Sequence, residues 1–240
     1  MIKIEKAEVM NFENAIRGAR NPMNSWDRMD SEYKAKCLSF PEIGYCTLPD
    51  CHYDQCMCTE PEFVLGQNDL SLAKRLIKAG SDHRKFLRQI FVSVDITAPL
   101  YWWKEYDTYK VATVANSCST MHKIHAKEFT FDDFSHEHLY SRMGESYEAM
   151  DCLVDIIDCL NKYRALYIET KDKLWWWQMI QLLPSSYNQL RTCTLNYETL
   201  LNQYYARKSH KLDEWHDYCD WIETLPYFKE MCLGDKTNGN

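Results

Sequence analysis

The residues best equipped for chemistry in this chain lie between Asp95 and Ile124. Trp102, Trp103, Tyr106 and Tyr109 follow Pro99 at roughly helical spacing, and Thr113, Asn116, Ser117, Cys118, Ser119 and Thr120 come soon after. Hydroxyls, an amide and a thiol packed into one segment need partners in backbone, water or ligand, so the segment can form a polar pocket wall. Two readings stay open for each part. The aromatic side chains pack a core or subunit interface, or they form a shelf for a ligand ring. Cys118 is a small buried hydrophobe, or a nucleophile, a role in which a thiolate surpasses a hydroxyl.

A second group is Cys46, Cys51, His52, Cys56 and Cys58, five soft or borderline metal ligands within 13 residues, framed by Pro41, Pro49 and Pro61. Four such ligands can satisfy a zinc tetrahedron, but paired C-x-x-C knuckles are missing. A solvated, cysteine-containing insertion is the favoured reading, and no metal is expected. The eleven cysteines are an odd number, which suits reduced thiols better than a disulfide framework.

These groups need elements to hold them. Residues 2–12 alternate as a first strand, and residues 14–20 read as a short helix stopped at Asn21-Pro22. Residues 21–66 read as loops, with an insertion at about 30–66. Residues 69–79 form a helix with Asp69 as N-cap and Gly80 as stop, delivering His83 to a strand over residues 86–95. Pro99 breaks that strand and the aromatic helix follows. Residues 137–170 and 171–183 carry the 3.6-residue period, with Asp132, Asp133 and Glu137 favoured by the dipole at a helix start. After Leu183-Pro184, residues 188–207 and 212–224 read as two more helices. Trp175, Trp176 and Trp177 cannot share one helix face, which sends one or two of them to a subunit interface.

At 240 residues and 45% apolar content the chain suffices for one domain, 1–240. A net charge of −7, from 35 acidic against 28 basic residues, provides no footprint for polymeric nucleic acid. No stretch of 18 uncharged apolar residues occurs, so a soluble, cytoplasmic protein without membrane contact is expected.

Two segments together resemble the flavin-dependent thymidylate synthase family. The first runs from His83 through the strand, Ala98-Pro99 and the aromatic helix to Ile124. The second is Leu183-Pro184, then Asn196, Leu200, Arg207 and His210, and the early Ala19-Arg20 also fits. The resemblance implies an α+β fold with an antiparallel sheet flanked by helices, a helical C-terminal half and a homotetramer. It also implies FAD, a deoxyuridylate substrate, and reduction and methylene supply by NADPH and methylenetetrahydrofolate. Carried onto this chain, His83, Asn116 and Asn196 contact the cofactor, and Thr113, Arg191 and Arg207 bind the substrate. Cys118, Tyr109 and Lys110 stand at the catalytic positions, Cys118 where the family has a serine. Arg191 is expected on one helix with Asn196.

The chain departs from the family pattern where positive charge is required. Thr108, Thr120, Ile180 and Glu198 occupy positions at which the family has basic residues, and Lys110 alone keeps a charge in the central motif. Each charged hydrogen bond contributes about 1.5–3 kcal/mol, so losing several weakens nucleotide binding by orders of magnitude unless other cations substitute. Two functions follow as expectations. The first is a divergent synthase-like protein that binds flavin, pyrimidine nucleotide or both, with thymidylate synthesis itself weakened. The alternative is a non-catalytic oligomeric scaffold that sequesters a nucleotide or engages a protein partner.

Overall fold

The computed structural model describes residues 2–38, 44–46, 58–140 and 148–234. The chain forms two compact units, each assembled from separate segments. The first comprises Met1–Glu8, Val92–Leu195 and Asn202–Ile222, and the second Val9–Phe91, Asn196–Leu201 and Glu223–Asn240. Among the described residues, no helix is long and apolar enough to cross a membrane.

A four-stranded sheet forms the frame. Its order is β1 (Lys3–Met10), β4 (Phe91–Pro99), β6 (Asn188–Asn196), β5 (Val114–Ser117). Strands β5 and β6 are antiparallel, with Ala115 opposite Cys193 and Ser117 opposite Arg191. The Leu100 N–H donates to Tyr187 O at 3.0 Å and the Tyr197 N–H to Ile90 O at 3.0 Å, so β4 and β6 also run in opposite directions. Strand β4 buries Val92, Val94, Ile96 and Ala98, the period of two that sends alternate side chains into the core. On its other face Asp95 accepts from Thr192 Oγ1 at 2.6 Å and pairs with Lys6 at 3.1 Å, tying three strands together. The α+β class with an antiparallel sheet and flanking helices is thus as the sequence implies.

In the first unit, α3 (Leu100–Tyr106) leaves the sheet directly at Pro99. Helices α4 (Ala149–Thr170) and α5 (Lys173–Leu182) form a pair around Leu153, Ile157, Leu160 and Met179, joined by Ile124, Phe129 and Phe134. Trp175 stacks on Tyr163, with ring centroids 5.9 Å apart, while Trp177 is exposed. Helix α6 (Tyr197–Arg207) follows β6 without a gap and has its residues from Asn202 onward in this unit, and α7 (Asp213–Thr224) comes next.

The second unit contains α1 (Phe12–Ala19), the two-stranded ladder β2 (Glu32–Lys34) with β3 (Glu62–Val64), and α2 (Gln67–Lys78). Its organiser is the buried carboxylate of Asp69. One oxygen meets Arg20 Nε at 2.6 Å, while the other accepts the backbone N–H groups of Asp30 at 3.1 Å and Ser31 at 2.9 Å. Asp30 answers by accepting the N–H groups of Asn68 at 2.8 Å and Asp69 at 3.0 Å, which satisfies two orphan donors at the start of α2. This close approach requires glycine at position 66, since a Cβ there would fall 2.2 Å from Asp30 Cγ.

Several expectations need correction. Residues 188–196 are a strand, because Gln189, Cys193 and Leu195 are buried while Thr192 and Thr194 are exposed, an alternation with period two. Arg191 therefore lies on β6, not on a helix with Asn196. Residues 84–89 form a 3₁₀ helix, so the strand starts at Phe91 and not at 86. Asp69 is the third residue of α2, and Gly66 occupies the cap position. Asp132 and Asp133 belong to a 3₁₀ turn capped by Thr130, so they do not open an α-helix. The polar tail after α3 is not buried: Val114, Ala115, Asn116 and Ser117 form an exposed edge strand. Cys51, His52 and Cys56 lie outside the described residues.

Burial pushes the Asp30 carboxyl up, but the N–H groups of Asn68 and Asp69 hold it below its ordinary value of 3.8. A carboxylate depressed in the folded state stabilises above its unfolded range and loses that contribution as pH falls through the folded value. Asp30→Ala is therefore expected to lower stability by about 0.5–2 kcal/mol at pH 7, the usual cost of a lost cap. In urea titrations this deficit should shrink below pH 4 or so; a deficit independent of pH would refute the capping role.

Candidate functional site

In the first unit the site residues are organised by an aromatic cluster. Trp102, Trp103, Tyr106, Trp215 and Tyr218 are all at most 1% exposed. Trp102 lies 4.8 Å from Trp215 and 5.1 Å from Tyr106, centroid to centroid, with tilted and stacked rings. The packing reading of these aromatics therefore holds for Trp102, Trp103 and Tyr106. Tyr109 lies just beyond the helix and is partly exposed.

Arg207 rests against that cluster. Its guanidinium carbon is 4.1 Å from the Tyr109 ring centroid and 5.2 Å from that of Trp215. Its Nη2 donates to Glu105 Oε2 at 3.0 Å, and its Nε is buried without a hydrogen-bond partner. Buried charges of this kind are stabilised by ring faces and by a carboxylate. The position of Tyr109 is itself fixed by Gln203, a residue the sequence did not single out. Gln203 Nε2 donates to Tyr109 O at 3.1 Å while its Oε1 accepts from Tyr218 Oη at 2.8 Å. Gln203 is wholly buried, a property only the fold reveals, and no motif in the sequence marks it.

Arg191 forms a parallel arrangement on β6. It donates to Asp107 Oδ1 at 3.1 Å and to Gln189 Oε1 at 3.0 Å, and lies 4.3 Å from the centre of the Trp103 ring. Lys110 reaches the same Asp107 at 3.2 Å. Thr113 Oγ1 is buried with no partner. Asn116 and Cys118 are exposed, and the Cys118 N–H continues the β5–β6 pairing to Leu190 O at 2.9 Å. The neighbouring thiol of Cys193 is different, since burial pushes it up to about 11 and makes it a poor nucleophile. Tyr109 and Arg207 are thus in contact, Lys110 and Arg191 share Asp107, and Asn116 and Cys118 stand on the sheet edge. An open hollow of about 700 Å³ beside Glu105 is lined by Tyr101, Lys104, Leu183, Ser185 and Leu212. Burial, with Glu214 as hydrogen-bond partner, raises the Tyr101 phenol.

In the second unit the charge reversal at Glu198 finds its explanation. This buried carboxylate accepts from Arg84 Nε at 3.3 Å and pairs with Arg88 Nε. Glu198 thus draws two guanidinium groups to the place where the sequence suggested the loss of one cation. Asn196 is buried, and its Oδ1 accepts from Thr199 N at 3.0 Å, so it caps α6.

His83 is exposed and lines a groove of about 940 Å³ with Leu72, Leu76, Phe86, Lys85 and Arg88. A second hollow of about 570 Å³ contains Arg17, Trp26 and Met29 and shares Gly18, Asn21 and Gln89 with the first. Gly18 stands in the wall the two hollows share, close against Gln89, where a Cβ would meet Gln89 Oε1 at 3.1 Å. Apolar walls with Lys85 and Arg88 at the margin suit a planar ring system carrying phosphate, with Asp82 as an opposing charge beside them. Among the described residues, no group of three or more His, Cys, Asp or Glu side chains could hold a metal ion.

No protein-family model matches the chain, and no curated protein sequence does. Solved structures do. A structure of thymidylate synthase X (ThyX) from Helicobacter pylori with FAD and dUMP matches at TM-score 0.62 and 14% identity, covering 98% of this chain and 98% of that one. A second, of flavin-dependent thymidylate synthase ThyX from Helicobacter pylori complexed with FAD and dUMP, matches at TM-score 0.61 and 14% identity, covering 98% and 100%. This chain therefore has a ThyX-like fold over nearly its whole length.

Replacing Gln203 by Ala leaves the Tyr218 hydroxyl buried without its acceptor. The expected cost is about 1–3 kcal/mol in urea unfolding, and a loss under about 0.5 kcal/mol would show that Gln203 does not hold Tyr109.

Proposed function

We propose that this protein is a divergent flavin-dependent thymidylate synthase-like protein that binds a flavin and a pyrimidine nucleotide. The observation that carries the reading is the pair of adjacent hollows in the second unit, with Trp26 in one, His83 in the other, Arg17, Lys85 and Arg88 as cations and Asp82 as the one carboxylate among their lining residues. Its apolar walls match a ring system and its cations match phosphates. The fold likeness to proteins solved with FAD and dUMP supports the same ligands. His83 and Asn196 serve the cofactor, the latter by holding the start of α6.

In the first unit, Arg207 is the anion contact for the nucleotide, assisted by Arg191 and Thr113. Tyr109 orients Arg207 through its ring, Lys110 adds charge, and Asn116 and Cys118 border the region from β5. A bound flavin supplies hydride chemistry when reduced, for which NADPH and methylenetetrahydrofolate would be the co-substrates if the family reaction is retained. Arg207 and Arg191 are already engaged by Glu105 and Asp107, so a substrate phosphate must compete with internal carboxylates. We therefore expect slow or absent thymidylate formation. That same engagement favours a second reading, a non-catalytic homotetrameric scaffold in the cytoplasm that holds a nucleotide or a protein partner.

Absorbance titration with FAD tests the first reading. Wild type should bind, while Gly18→Leu, which puts a branched side chain into the wall common to both hollows, and His83→Ala should each weaken binding by roughly tenfold or more, the equivalent of about 1.4 kcal/mol. Equal affinity in wild type and both variants would remove the groove as the flavin site. For the nucleotide, calorimetry should show weak dUMP binding that Arg207→Ala abolishes; undiminished binding in that variant would exclude Arg207 as the anion contact. Turnover at the ~1–10³ per second usual for enzymes would contradict the inference from engaged cations.

A further inference from the structure

The sequence grouped Cys46 and Cys58 but left out Cys37, and the structure changes that grouping. Beyond β2 the chain continues in extended form, and Lys36 bridges Tyr45 while Cys37 bridges Cys58, both antiparallel. The Thr59 N–H donates to Lys36 O at 3.0 Å. That bond joins the residue after Cys58 to the residue before Cys37, which marks Cys37 and Cys58 as a non-hydrogen-bonded antiparallel pair. In such pairs the Cα atoms lie about 4.5 Å apart and the side chains, on one face, approach most closely. A disulfide needs Cα atoms about 4.4–6.8 Å apart and converging Cβ atoms, so the backbone already meets its requirement.

Cys46 is the competitor. Its N–H donates to Ala35 O at 2.7 Å, and Cys37 donates to Gly44 O at 3.0 Å, so Cys46 sits opposite Ala35 on the face that Cys37 shares. It is thus a diagonal neighbour of Cys37, at about 7–8 Å between Cα atoms, beyond the range a disulfide spans without backbone movement. Among the described cysteines of the insertion, register alone selects Cys58. All three are thiols in the structure, Cys37 buried and Cys58 half-buried.

We propose that Cys37 and Cys58 form a specific, reversible disulfide when the protein meets a disulfide oxidant such as oxidised glutathione. The more accessible Cys58 thiolate attacks one glutathione sulfur and expels a glutathione thiolate. The Cys37 thiolate then attacks Cys58 Sγ in the mixed disulfide and expels the second glutathione. The two protons lost by the cysteines are gained by two glutathione thiolates, and the two electrons removed from the thiol pair reduce the oxidised glutathione. The bond covalently closes the chain from residue 37 to residue 58, independently of the flavin and nucleotide reading.

The test equilibrates the native full chain with oxidised glutathione, blocks remaining thiols with iodoacetamide, and digests without reductant using an endoprotease that cuts after glutamate. Cleavage after Glu42 separates Cys37 from the other cysteines of the insertion. Mass spectrometry should find the 33–42 peptide of Cys37 joined to the peptide that starts at Ile43 and holds Cys58, two mass units below the sum of the two peptides once carbamidomethyl groups on Cys46, Cys51 and Cys56 are counted, with tandem fragmentation placing the link at Cys58 and dithiothreitol releasing it. Cys46→Ser should leave this link intact and Cys58→Ser should abolish it. Recovery of Cys37 as an alkylated thiol, or joined to Cys46 or another cysteine, in the wild-type protein would overturn the proposal.

Discussion

The first unit depends on the burial of Trp102 against Trp215, Tyr106 and Tyr218. An indole of this kind removes roughly 150–250 Å² from water, worth about 4–6 kcal/mol at 25 cal/mol per Å². Because α3 starts directly at the end of β4, the cluster also fixes the angle at which that helix leaves the sheet. Everything polar in the unit is arranged around this fixed object. Trp103 ties to β6 by donating from Nε1 to Gln189 O at 2.9 Å, and Gln203 ties Tyr218 to the backbone of Tyr109. The guanidinium groups of Arg191 and Arg207 then lie on ring faces that cannot move.

The second unit is organised by charge where the first is organised by rings. Asp69 is fully enclosed and paired with Arg20, and a buried pair broken on one side typically costs about 3–5 kcal/mol. Asp69 also receives the 30–31 turn, whose Asp30 in turn caps α2. Glu198 performs a related task with Arg84 and Arg88. Glu198 thereby holds Arg88, which lines the groove together with His83.

These arrangements bear on chemistry through the supply of free positive charge. Arg207 and Arg191 each hold an internal carboxylate, whereas Arg88 keeps a side chain that is 56% exposed and lines the groove despite its bond to Glu198. On the proposed reading a ligand phosphate would have to displace Glu105 or Asp107 in the first unit, whereas in the second the exposed Arg88 faces the groove beside Asp82.

The sequence by itself determined the parts whose signal is local. Alternation in β1 and β4, the Pro99 boundary, the aromatic stripe of α3 and the 3.6-residue period of α4 and α5 all depend on neighbours within a few residues, and so they were legible. The order of motifs around Ala98-Pro99 and Leu183-Pro184 pointed to the fold. What failed were segments decided by distant partners. Residues 188–196 became a strand because β4 and β5 flank them, and the polar tail after α3 became an exposed edge because β6 offers it a ladder. Glu198 looked like a lost cation until Arg84 and Arg88, more than a hundred residues away, were brought to it. Gln203 and Cys37 carried no motif at all, since their roles depend on Tyr109 and Cys58. Local periodicity fixes which face of an element is apolar, whereas only tertiary structure decides which charges and thiols that element meets.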